Sequence, residues 1–144
     1  MDRQDAKDAR ERDEPGGEVD ALACAVVEAA VEVHRRLGPG FFESIYEHAL
    51  CFELTQRGIP FVRQPAVAIQ YKDQIVGEAR PDLLVAARLI VELKTVDALA
   101  PIHLAQALSY LKATALPLAL VVNFNVPVLL RGVRRVVRTA SPSS

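Results

Sequence analysis

Leu89-Ile90-Val91-Glu92-Leu93-Lys94 opens on an unbroken aliphatic run and then sets two charges on either side of a leucine. A short, β-branched apolar run of this kind reads as a strand buried on both faces. Side chains on a strand alternate sides, so Glu92 and Lys94 share one face while Leu93 points into a core. A carboxylate and an ammonium on a buried strand are costly to desolvate and call for a partner or a task. The E-x-K pattern alone also fits a mundane ion pair at a sheet margin. A D-x-K match, Asp5-Ala6-Lys7, occurs in the charged N-terminal segment, where nothing supports a site.

Pro81-Asp82 lies just upstream, with nine residues between Asp82 and Glu92. That is the length of a strand end, a short turn over Ala86-Ala87-Arg88 and a strand start, so a hairpin can bring both carboxylates to one end of neighbouring strands. Two carboxylates held together repel unless a cation sits between them, and oxygen-only donors suit Mg²⁺ or Mn²⁺. The plainer reading has Asp82 capping a turn after proline.

Outward from this centre the chain alternates between periods. Downstream, Pro101 suits the first turn of a helix running to about Thr114, and Leu118–Val122 is apolar throughout, as a central strand requires. Val128–Val137, with its spaced arginines, reads as an edge strand or hairpin arm. Upstream, Ala66–Tyr71 reads as a strand, Lys72-Asp73-Gln74 as a turn, and Ile75–Val85 as a strand interrupted at Pro81. Further back, Leu22, Val26, Val33 and Leu37 recur at helical spacing within Glu18–Leu37, and Gly38-Pro39-Gly40 stops that helix. A second helix spans about Phe42–Arg57, with Gly58 and Pro60 beyond its end. The order is α-α-β-β-β-α-β-β, and an α/β domain with an open mixed sheet flanked by helices is the architecture it implies.

Two further clusters carry chemistry. Glu43, Tyr46 and Glu47 fall on one face of the second helix; the plain alternative makes Glu43 a first-turn acid and Tyr46 a core residue. His103, Gln106 and Tyr110 share a face of the helix that follows the Glu92 strand. A glutamine and a tyrosine one turn apart can steady metal ligands or contact phosphate oxygens, whereas His103 reads as part of a half-buried polar stripe.

A chain of 144 residues with 51% hydrophobic content can bury a core as one domain. Residues 1–17, mixing acids and bases before Pro15-Gly16-Gly17, and residues 139–144 read as disordered tails around a domain at 18–138. Cys24 and Cys51 lack metal spacing and read as reduced core thiols, which points to a reducing, cytoplasmic setting. The N-terminus fits no signal peptide, and no stretch is apolar enough to span a membrane. The net charge of −1 removes a global electrostatic case for polyanion binding. Arg131, Arg134, Arg135 and Arg138 form the clearest basic cluster, with Arg35-Arg36 next, but charge on an edge strand also serves to block aggregation.

Taken together the chain resembles the GxxExxY proteins, a bacterial branch of the PD-(D/E)xK nuclease superfamily. The resemblance runs through His34–Leu37 with Gly38-Pro39-Gly40, Glu43 and Tyr46, Pro81-Asp82, Glu92-Leu93-Lys94, Gln106 with Tyr110, and Val121-Val122-Asn123-Phe124. Phe41 and Phe42 depart from it, standing where smaller aliphatics would be unsurprising. The resemblance implies a restriction-endonuclease-like core and a metal-dependent nuclease acting on DNA or RNA. It implies Asp82, Glu92, the Leu93 carbonyl and Glu43 as holders of Mg²⁺ or Mn²⁺, and Lys94 as the catalytic amine. Gln106, Tyr110 and Tyr46 would steady the ligands or bind the nucleic-acid strand. An alternative keeps the fold without turnover, as a module binding nucleic acid or a protein partner; another is a homodimer through the apolar helix Glu18–Leu37.

Overall fold

The computed structural model describes residues 16–139. Helices α1 (Gly17–Leu37) and α2 (Glu43–Gln56) precede strands β1 (Phe61–Arg63), β2 (Val67–Tyr71), β3 (Gln74–Ala79), β4 (Leu83–Val85) and β5 (Leu89–Lys94). Helix α3 (Pro101–Thr114), strand β6 (Leu118–Asn123), a 3-10 turn (Leu129–Gly132) and strand β7 (Val133–Val137) follow. The main sheet has the order β1-β4-β5-β6-β7, and β2 and β3 form a separate antiparallel hairpin. Among the described strands only β5 and β6 run parallel, joined across α3 as a parallel pair requires. This mixed α/β architecture is consistent with a restriction-endonuclease-like fold.

The alternation of β5 divides the interior. Leu89, Val91 and Leu93 join α1 and α2 in one core, together with Leu118, Leu120 and Val122 of β6. Ile90 faces the other way and packs with Ala119, Val121, Ala107 and Leu111 under α3. All six residues of β6 are buried, as an apolar central strand demands. Helix α1 starts on acids and ends on His34, Arg35 and Arg36, matching the helix dipole at both ends. Its apolar residues Val26, Ala29, Ala30 and Val33 are buried against the chain's own sheet, so they are not offered to a second copy.

Several expectations change in detail. The segment 75–85 is two strands, not one broken strand: Pro81 separates β3, in the hairpin, from β4, in the main sheet. Phe61–Arg63, between two prolines, adds an edge strand that three residues could not announce. Within 128–137 only Val133–Val137 is extended; the first half is the 3-10 turn. Cys51 is buried, whereas Cys24 is exposed and is no core thiol. Gly17 already belongs to α1; the rest of the two expected tails lies outside the described residues, apart from Gly16 and Thr139.

The end of β6 is a junction. Asn123, 2% exposed, accepts the Val96 and Asn125 amides on Oδ1 and donates Nδ2 to the Val96 carbonyl, tying down the loop that leads to α3. Phe124 stacks on Tyr46 at 4.5 Å, and the His34 ring bonds the Val126 carbonyl at 2.7 Å. Gly132 packs under this junction so closely that a Cβ there would lie 2.2 Å from the Asn123 carbonyl oxygen. Backbone cannot retreat as a flexible side chain can, so Gly132→Ala should destabilise the fold by about 1–3 kcal/mol. In urea titration the midpoint should fall with the slope unchanged.

Candidate active site

Strands β4 and β5 pair antiparallel with Leu83 opposite Val91. One step further out, Asp82 stands opposite Glu92, and the two residues clasp each other. The Asp82 amide donates to Glu92 Oε1 at 2.7 Å, and the Leu93 amide donates to Asp82 Oδ2 at 2.7 Å. Each carboxylate thus spends one oxygen on a backbone N–H and keeps the other available. The Leu93 carbonyl points to the same side as its amide, toward Asp82, because a strand residue turns both groups to one neighbour.

Glu92, Lys94 and Ile90 share a face of β5, the face covered by α3. Lys94 Nζ stands 3.8 Å from Glu92 Oε2 and donates to Gln106 Oε1 at 3.1 Å. The helix turn that carries Gln106 also carries Tyr110, whose hydroxyl is pushed toward the protonated form by burial and then by the charges of Glu92 and Asp82. His103 turns back instead: its Nδ1 accepts the Ala100 amide at 2.9 Å and caps its own helix.

Glu43 opens α2 and is half-buried. Its carboxyl is pushed up by burial and by the charge of Asp82, with Lys94 pulling it down. Tyr46 is fully buried; its hydroxyl donates to the Gly38 carbonyl at 2.5 Å and accepts the Phe41 amide at 3.1 Å. Both hydrogen bonds of the hydroxyl thus go to backbone groups of the loop before α2, not to the carboxylates. Its work is to hold the Gly38–Phe41 loop, whose glycines need left-handed backbone (φ 70° at Gly38, 107° at Gly40), so that α2 begins at Glu43.

Glu47, one turn along α2, reaches the same region. It is 5% exposed and takes two hydrogen bonds from Arg63 of β1, at 2.8 and 3.1 Å. Its charge raises the Asp82 and Glu43 carboxyls. The helical offset from Glu43 put Glu47 on the right face of the sequence, but its partner lies 16 residues away on a strand that the pattern did not show.

Among the described residues, no three His, Cys, Asp or Glu side chains stand close enough to form a ready-made metal cage. The donor chemistry nonetheless fits a hard divalent ion: two adjacent carboxylates, each with a spare oxygen, a backbone carbonyl beside them and a third carboxylate at the margin. Burial and the neighbouring Asp82 charge push the Glu92 carboxyl up to about 7, against the Asp82 amide and Lys94. Burial likewise raises Asp82, opposed by the Leu93 amide. Carboxylates that resist ionisation in the bare protein are what a cation would relieve.

The basic clusters do not converge here. Arg35 and Arg36 pair with Glu32, and Arg135 pairs with Asp20. Arg138 donates to the Ala115 and Leu116 carbonyls past the end of α3, and Arg134 to carbonyls near the 3-10 turn.

Compared with protein families, residues 20–136 match the PD-(D/E)XK nuclease superfamily. The chain belongs to that superfamily. Comparison with curated proteins and with solved structures gives no match. PD-(D/E)XK nucleases typically use divalent metals and act on nucleic acid. Pro81-Asp82 and Glu92-Leu93-Lys94, the residues that clasp across β4 and β5, lie within the matched range and have the form of the P-D and E-x-K elements that name the superfamily.

A pH prediction follows for the metal-free protein. The folded Glu92 binds its proton more tightly than the unfolded chain does, from a usual value of 4.5 up to about 7. The native state then holds more protons between those values, so this group's contribution to stability falls as pH rises through that window. The loss should reach about 3 kcal/mol by pH 8. In chelator-treated protein, Glu92→Gln should flatten the decline of the denaturation midpoint between pH 5 and pH 8; an unchanged slope would count against the raised carboxyl.

Proposed function

We propose that this PD-(D/E)XK protein is an active, metal-dependent nuclease hydrolysing phosphodiester bonds in DNA or RNA, with Mg²⁺ or Mn²⁺ as cofactor. One observation carries the reading: Asp82 and Glu92, from different strands, meet with spare oxygens beside a lysine that α3 holds in place. Stability alone does not call for two buried, mutually repelling carboxylates at that spot.

Asp82, Glu92 and the Leu93 carbonyl would hold the ion, with Glu43 completing its surroundings directly or through water. The ion supplies Lewis-acid polarisation of the phosphate and a more acidic bound water. The chain's own residues do the rest. Lys94, fixed between Glu92 and Gln106, presents its ammonium where charge develops on the phosphate and orients the attacking water. Gln106 restrains the lysine through its amide oxygen, and Tyr110 adds a protonated hydroxyl beside the carboxylates. Glu47 and Arg63 brace α2 against β1 and so keep Glu43 at the margin of the site.

Gly40, Glu43 and Tyr46 at their spacing support placing the chain in the GxxExxY branch, and the geometry gives that pattern a purpose: a bent loop, a carboxylate and the tyrosine that locks the loop. The free Cys24 and Cys51 support a reducing, cytoplasmic setting. No described helix is long and apolar enough to cross a membrane.

The test is a cleavage panel of single- and double-stranded DNA and RNA with Mg²⁺ and Mn²⁺. Metal-stimulated cleavage is expected, with Lys94→Ala reducing the rate by about 10²–10³-fold. Gln106→Ala, which frees the lysine without removing it, should cost about tenfold. Absence of cleavage of every substrate, or equal rates for wild type and Lys94→Ala, would refute catalysis and leave a silent nuclease-fold module.

A further inference from the structure

Among the described residues Phe42 is the most exposed large hydrophobic, at 81%, and it immediately precedes Glu43. The Cα atoms of the two residues are therefore about 3.8 Å apart. Phe41 and Ile45 are also exposed, at 46% and 41%, so the N-terminal end of α2 carries an apolar patch beside the third carboxylate of the site. The patch is built rather than loose. The Phe41 amide is held by the Tyr46 hydroxyl, the Phe41 ring sits edge-on to Tyr46 at 6.2 Å, and the Phe42 carbonyl accepts the Ile45 amide at 3.0 Å. Large apolar side chains exposed together, unlike single ones scattered over a surface, mark an interaction site.

The charge distribution says what kind of nucleic acid fits. Among the described residues, Arg35, Arg36, Arg57, Arg63, Arg80, Arg88 and Arg135 are each paired with a carboxylate. Lys94 is committed to Glu92 and Gln106, and Arg134 and Arg138 to backbone carbonyls. Lys72, Lys112 and Arg131 remain, and they lie on the hairpin turn, on α3 and on the 3-10 turn, not along one stripe. Duplex binding draws its affinity from several basic side chains tracking phosphates. Unpaired nucleotides can instead draw it from bases stacked on aromatic faces, whatever their sequence.

We propose that Phe42, supported by Phe41, is a base-stacking platform that makes single-stranded or frayed nucleic acid the preferred substrate of this site. The inference rests on the nuclease reading for its location. A base seated on Phe42 sets the neighbouring phosphodiester beside Glu43 and the Asp82–Glu92 pair. A paired base inside a duplex has its faces covered by its neighbours and cannot be seated this way.

The test measures binding apart from cleavage. Fluorescence anisotropy of a labelled mixed-sequence DNA oligonucleotide, single-stranded or annealed to its complement, is followed with Lys94→Ala protein and Mg²⁺. Single strands should bind at least about tenfold more tightly than duplex. Adding Phe42→Ala should weaken single-strand binding by about five- to hundredfold with little change for duplex, and Phe42→Trp should keep it. Because Phe42 is so exposed, the alanine variant should fold, which its thermal midpoint verifies. Tighter duplex binding, or single-strand binding indifferent to Phe42→Ala, would overturn the proposal. So would light scattering that shows a dimer abolished by Phe42→Ala while nucleic-acid binding is unchanged, since the patch would then be a self-association surface. The nuclease reading fails separately: Phe42-dependent single-strand binding without metal-stimulated cleavage by the wild type keeps the platform and removes the catalysis.

Discussion

The site depends on a reciprocal clasp between neighbouring strands. Asp82 gives its amide to Glu92, and the strand of Glu92 gives the Leu93 amide to Asp82. Two like charges in a poorly solvated place would ordinarily swing apart. Here each is pinned by a charge-assisted bond to the other's strand; burial raises both carboxyl pKa values, and the Asp82 charge raises Glu92 further. A proton relieves this at low pH, and a cation held by the pair would relieve it near neutrality.

Around the clasp, the other motif residues divide into those that lie beside the carboxylates and those that hold the backbone around them. Lys94, Gln106 and Tyr110 lie on the α3 side of β5, and Glu43 approaches from α2, which packs on the opposite side. That crossing is possible because α2 starts near the sheet's end, after a loop bent at Gly38 and Gly40 and locked by Tyr46. Tyr46 in turn stacks on Phe124, His34 holds the Val126 carbonyl, and Asn123 secures the loop before α3. One buried junction past β6 thus sets both helices that serve the site.

Much of this was legible in the residues alone. The helix over 101–114 and the strand over 89–94 were marked by Pro101 and by an aliphatic run, which are local signals. The meeting of Asp82 and Glu92 was legible because a nine-residue hairpin leaves the chain little choice. What escaped depended on distant partners. Glu47 is poised by Arg63, on a three-residue strand too short for any periodicity. The hairpin β2–β3 leaves the main sheet at Pro81, but a proline marks an interruption without saying which sheet each side joins. Cys24 looked like core because the alanines around it blur which face of α1 is apolar. Arg135 and Arg138 looked like part of a patch because their acceptors, Asp20 and the carbonyls beyond α3, are remote in sequence.

Calorimetric titration of Mn²⁺ into chelator-treated protein near neutral pH probes the clasp most directly. Saturable binding is expected, with proton uptake by buffer showing that Glu92 ionises as the ion enters, and Asp82→Asn or Glu92→Gln should each abolish it. Binding that is absent, or that survives both substitutions, would mean that the two carboxylates do not share an ion.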